Sequence, residues 1–142
     1  MSFSTGLFGL LTTDPGVVAL VGSRVYPLAA PQGAAFPRIT HQLITTTRDW
    51  DLLGPSGLRR ALMQIDVWAL SEGAAEELAE RLRVLLDGFG GELGGVRVQL
   101  IQLVDEGALA EFRQDGSERP IYRVRFSARI TAEESRPNRL AG

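Results

Sequence analysis

The chain contains no cysteine and no lysine, and its single histidine is His41. Without cysteine there is no disulfide, no thiolate nucleophile and no sulfur-ligated metal, and the composition fits a reducing compartment. With one histidine, the sequence shows no cluster of His, Asp and Glu at metal-ligand spacing. No metal and no cofactor are therefore expected. Long apolar runs are also missing. The opening MSFSTGLFGLLTTDP has no basic stretch before its apolar residues and is far too short to cross a bilayer. The expectation is a chain made and kept in the cytoplasm until it is assembled, with no membrane partner.

Charge of one sign is scarce too. The net charge of -2 lacks the basic excess of a general nucleic-acid binder. All 15 basic residues are arginine, which suits bidentate carboxylate pairing and protein interfaces better than lysine does. GC-rich coding would give the same bias.

The 142 residues correspond to one domain, long enough to bury roughly 70% of its unfolded surface. The hydrophobic fraction of 44% and charged fraction of 23% are those of an ordinary globular chain.

Periodicity then places the elements. Phe3, Leu7, Leu10 and Leu11 share one helical face. Asp14-Pro15 reads as the cap and first residue of a second short helix ending at Gly22. Residues 24–27 are a short extended piece, and 28–37, with Pro31, Gly33 and Pro37, form a loop. From Arg38 the period becomes two, with Ile39, His41, Leu43 and Thr45 on one face. A turn at 53–57 leads to a strand over 60–70, with Met63, Ile65, Val67 and Ala69 facing one way and Gln64, Asp66 and Trp68 the other. Ser71 caps a helix from Glu72 to about Asp87, striped by Ala75, Leu78, Ala79, Leu82, Leu85 and Leu86. A third strand, 96–104, slips phase between Leu100 and Ile101, the sign of a β-bulge. The last strand, 120–131, turns Tyr122, Val124, Phe126, Ala128 and Ile130 inward and Arg123, Arg125, Ser127 and Arg129 outward.

The expected fold is α+β: an antiparallel four-stranded sheet packed against one long helix, plus short N-terminal helices. One domain, 1–132, would be followed by a polar mobile C-terminal tail, 133–142.

No catalytic constellation emerges. His41 falls in phase with Ile39 and Leu43 and reads as a buried, hydrogen-bonded strand histidine. No GxSxG elbow surrounds a serine. The glycines at 88, 90, 91, 94 and 95 follow a helix instead of opening one, so they do not form a phosphate cradle. Asp49 and Asp51 read as loop charges. The chain is not expected to be an enzyme.

Interfaces are more informative. Trp68 lies out of phase with its strand's apolar face, either covered by the N-terminal helix or presented to another subunit. Arg123, Arg125 and Arg129 form a row, either a solvated face or a basic stripe toward acidic neighbours or DNA. With Trp50, Asp51 and Leu52 in the connection between the first two strands, these residues are the candidate subunit or tube interface. The connections 46–58 and 106–119 are the two long loops, the kind of segment that carries function.

The order of the motifs carries a resemblance. Asp14-Pro15, residues 17–21, Arg24-Val25-Tyr26-Pro27, Ala30-Pro31-Gln32-Gly33 and Phe36-Pro37 resemble the opening of the phage tail-completion family. Gly54-Pro55-Ser56-Gly57, Gln64-Ile65-Asp66-Val67-Trp68, the helix from Ser71 and the strand Ile121-Tyr122-Arg123-Val124 match the rest. The resemblance covers roughly 7–131. It implies a structural subunit, with no catalytic residues, that caps the head-proximal end of a tail tube as a hexameric ring. Such a ring stops tube growth and joins tail to head. The implied partners are further copies of the chain, the major tail tube protein, a head-side neck or stopper protein, and DNA passing through without sequence readout. The implied location is the tail-neck junction of the virion, after assembly in the host cytoplasm. Another neck component of a phage or gene-transfer particle is the nearer alternative, and a small enzyme without a visible motif the farther one.

Overall fold

Local side-chain chemistry sets the helix boundaries. In the computed structural model, which describes residues 3–112 and 119–133, α1 (Phe3–Thr13) gives way to α2 (Pro15–Val21) at Asp14. The Asp14 carboxylate accepts a hydrogen bond from the Val17 amide at 3.1 Å, and Pro15 occupies a position where no amide hydrogen is needed. α3 (Glu72–Leu86) starts at Ser71, whose hydroxyl accepts from the Ala74 amide at 3.1 Å. Its stripe of Ala75, Leu78, Ala79, Leu82 and Leu86 is buried, and Leu85 and Phe89 pack against the same core.

The strands are β1 (Val25–Pro27), β2 (Arg38–Asp51), β3 (Gly54–Ala69), β4 (Gly91–Leu93), β5 (Val96–Phe112) and β6 (Pro120–Glu133). They form one sheet in the order β1-β2-β3-β6-β5-β4. β1 runs parallel to β2, and the other pairings are antiparallel. The expected four-stranded antiparallel sheet against one long helix is therefore wrong. Among the described residues the sheet has six strands, is mixed, and curls into a half-barrel, with three helices of 11, 7 and 15 residues.

Of the two strands beyond the expected four, β1 falls on the extended piece expected at 24–27 and β4 is unforeseen; each has three residues, too few to show an alternation. β1 is set by its ends: the Ile39 amide donates to the Arg24 carbonyl at 3.0 Å, and the Leu28 amide to the His41 carbonyl at 2.8 Å. The Arg24 guanidinium ties the entry down, Nε donating to the Pro37 carbonyl (2.8 Å) and Nη2 to the Leu20 carbonyl (3.2 Å). β4 turns into β5 through Gly94 and Gly95, both at positive φ (59° and 80°), which glycine adopts without a Cβ penalty.

The core lies between the helices and one face of the sheet. Ile39, Met63, Ile65, Val67, Val124, Phe126, Ala128 and Ile130 are buried there with Leu7, Leu11, Val17 and Val21. Leu43 departs from the expected phase: the β2–β3 register shifts between Leu43 and Thr45, and Leu43 and Ile44 are both about half exposed. In β5 the expected bulge falls slightly earlier, between Val98 and Leu100, so that Val98 and Ile101 are buried and Leu100 is not.

Neither expected long loop is a loop over its described residues. β2 and β3 continue through 46–58 as a paired arm, turning at Leu52-Leu53. β5 continues through 106–112, while 113–118 lie outside the described residues. Gly54 and Gly57 have the positive φ their turn signal implied (122° and 88°), but the strand absorbs both. Of the expected terminal tail, Glu133 closes β6 opposite Leu58, and 134–142 lie outside the described residues.

Candidate subunit and tube interface

Register brings six of the seven candidate residues into two neighbourhoods. β3 lies between β2 and β6, so Trp68 stands between Arg38 and Arg123, and Asp66 between Thr40 and Arg125. All point to the sheet face that the helices leave open, so the N-terminal helix does not cover Trp68. A polar cluster closes over Asp66. Arg123 Nε donates to Asp66 Oδ1 at 3.1 Å and Arg125 Nε to the same oxygen at 3.4 Å. Gln64 Nε2 donates to Asp66 Oδ2 at 2.7 Å. Trp68 Nε1 donates to Thr40 Oγ1 at 2.9 Å, and the Arg123 guanidinium stacks 4.5 Å from the Trp68 ring centre. Arg123 also donates from Nη1 to Glu111 Oε1 at 3.3 Å.

The cluster is half dry. Asp66 and Thr40 are each 5% exposed although they lie on the face opposite the buried Met63, Ile65 and Val67. Burial by itself would lower the Arg123 pKa, but hydrogen bonds and charge from Asp66 and then Glu111 hold it above its ordinary value. Arg123 and Arg125 are thus drawn toward a carboxylate. Arg129 is exposed farther along β6, opposite Leu62 and Gln102. Sequence phase places Asp66 on the Trp68 side, but its role as the hub depends on the β3–β6 register, which has no local signal.

The second neighbourhood is the arm tip. Trp50 pairs with Pro55 and Asp51 with Gly54. Asp51 Oδ1 accepts from the Leu53 amide at 2.8 Å, fixing the turn. Trp50 is 72% exposed, Leu53 78%, and Leu52 fully. Three large apolar side chains on one hairpin end are an unusual outlay of surface for a free chain. The arm base is anchored: Arg60 Nη1 donates to both oxygens of Asp49 (2.7 and 2.8 Å), and the Arg59 guanidinium stacks 4.4 Å from the Phe3 ring centre.

His41 is buried as expected, but neither ring nitrogen has a hydrogen-bond partner among the described residues, where the expectation had it hydrogen-bonded. Burial lowers its pKa. Among the described residues, no group of three or more His, Asp and Glu is placed to hold a metal ion. No single described helix is long and apolar enough to cross a membrane.

Comparison with known proteins gives one family. The model of the family described as tail completion protein gp17 matches residues 5–131. No curated protein matches the sequence. Among solved structures, a chain from the virion of a native gene transfer agent particle is similar in fold, with a TM-score of 0.66 at 20% identity, covering 92% of this chain and 93% of that one. A second solved chain superposes with a TM-score of 0.50 at 15% identity, covering 90% of this chain and 89% of its own. With the family model spanning nearly the whole sheet and nearly all of the three helices, the chain belongs to the tail completion protein gp17 family, and its role is structural and tail-related.

Proposed function

We propose that this chain caps the head-proximal end of a long phage-type tail tube, ends tube growth and joins the tail to the head as a hexameric ring. The observation that carries this reading is the β2–β3 arm. A firmly paired strand ladder holds Trp50, Leu52 and Leu53 out beyond the helix-backed sheet, where a tube subunit would bury them. Family membership supplies the setting. The Asp66 cluster, with Trp68, Arg123, Arg125 and the more distant Arg129, is the second candidate contact face. The partners are copies of this chain, the major tail tube protein and a head-side neck protein, with DNA passing through the ring.

The test is to separate heads from tails in particles blocked at joining and to locate the chain by mass spectrometry. The capping reading expects it on tails. Recovery on heads alone would instead make it a head-side stopper or adaptor.

A further inference from the structure

Both long outer strands of the sheet leave part of an edge open. β1 covers β2 only at Ile39–His41, so Gln42 to Thr47 have no strand on the side away from β3 among the described residues. β4 covers β5 only at Val96–Val98. Past these, the Ile101 amide donates to the Phe89 carbonyl and the Leu103 amide to Asp87 Oδ1, and no described strand lies beside 104–112 on the side away from β6. Open edges of this length are templates for pairing with another chain.

The usual protection is weak on β2. Its stretch Gln42-Leu43-Ile44-Thr45-Thr46-Thr47 has no proline and no lysine, favours strand, and exposes Leu43 and Ile44. The β5 stretch is built to receive. Gly107, Ala108 and Ala110 are small, and a hollow lies on each side of them. On the helix side, a cavity of about 240 Å³ is lined by Ala75, Ala108, Leu109, Ala110, Tyr122 and Val124, among others. On the open side, one of about 170 Å³ is lined by Gly107, Ala108, Leu109, Arg123 and Arg125. An added strand sends alternate side chains to opposite faces, and here both faces have room.

Charge selects the occupant. The β2 run from Arg38 to Arg48 holds two arginines and no carboxylate, whereas 104–112 hold Asp105, Glu106 and Glu111 and no basic residue. Glu106 is paired with Arg83 and Glu111 with Arg123, so the charge contrast between the two edges rests on Asp105. Two β5 edges would set like charges opposite each other, which disfavours a two-fold pair. β2 and β5 run antiparallel within one sheet, three antiparallel steps apart. Rotation of a copy about an axis along the strands therefore brings β2 of one copy beside β5 of the next in antiparallel sense, a heterologous contact that closes into a ring.

We infer that the ring is joined by strand addition: the 42–47 edge of β2 in one copy pairs with the 104–112 edge of β5 in its neighbour, making one sheet continuous around the ring. This rests on the ring reading above. The cysteine-free chain gives a clean background for the test. Particles assembled with the double variant Thr45→Cys/Ala108→Cys are treated with a short bismaleimide and run on a denaturing gel. Particles carrying each single variant are treated in parallel, and electron microscopy records whether a ring is present. The expected result is a ladder of covalent multimers from the double variant, and monomer from each single variant. Dimer from Thr45→Cys alone would mean symmetric β2 pairing and overturn the inference. Monomer throughout in particles with a visible ring would overturn it and leave the ring reading intact. Absence of any ring would overturn both.

Discussion

The guanidinium of Arg123 lies 4.5 Å from the centre of the Trp68 ring while its Nε donates to Asp66 at 3.1 Å. One arginine thus links the apolar and ionic halves of the open sheet face. With 15% of the Arg123 side chain and 7% of Asp66 exposed, the pair is nearly dry. Replacing one partner strands the other. Asp66→Ala is expected to destabilise the fold by about 2–3 kcal/mol, read as a lower urea midpoint at unchanged slope. Arg123→Lys is expected to recover little stability relative to Arg123→Ala, because an ammonium cannot stack on Trp68 while reaching both Asp66 and Glu111.

The arm tip is expected to behave in the opposite way. Trp50, Leu52 and Leu53 are largely exposed, so the triple change to serine is expected to shift stability by no more than about 0.5 kcal/mol per site. Joined particles, counted by electron microscopy, are expected to fall at least tenfold. A loss of folding stability matching the loss of joining would show that the tip serves the fold instead.

Gly6 marks where α1 meets β4. A Cβ built there would lie 2.6 Å from the Leu93 carbonyl carbon and 2.7 Å from the Gly94 nitrogen, both backbone atoms. Gly6→Ala is expected to cost about 1–3 kcal/mol through overpacking, despite alanine's better helix propensity. Gly9→Ala, on the same helix with nothing within 4 Å of the added carbon, is the control and is expected to be neutral or stabilising. Thermal melts of the two variants check this.

His41 gives stability a pH dependence of known sign. Burial lowers its folded-state pKa below the ordinary 6.5. Above pH 6.5 the ring is neutral in both states and adds nothing. As pH falls below 6.5 the unfolded chain takes up the proton first, so stability from this group declines toward the folded-state pKa. His41→Leu is expected to flatten that slope below pH 6.5. An unchanged slope would assign the acid sensitivity to other groups.

Much of this architecture was legible in residue order. Asp14 and Ser71 announce their helices through a capping chemistry that needs only near neighbours. The inward row of β6 from Val124 to Ile130 follows from strict alternation. What escaped is non-local. The extended piece at 24–27 was expected, but its pairing into the sheet as β1, and the whole of β4, depend on Arg24, His41 and the Gly94-Gly95 turn, and three residues have no period of their own. The glycines and proline at 54–57 carry a true turn signal, yet pairing across the arm overrides it. Trp50, Asp51 and Leu52 could be singled out as candidates from the sequence, but their display on a paired arm required the β2–β3 ladder. Asp66 looked like one more outward polar residue until register placed Arg123 and Arg125 beside it.

The central claim is that this chain ends the tail tube and joins it to the head. Electron microscopy of particles from a strain lacking the gene tests it most directly. Filled heads beside separate tails, with tails overlong or irregular in length, are the expected result. Complete particles of normal tail length would contradict it.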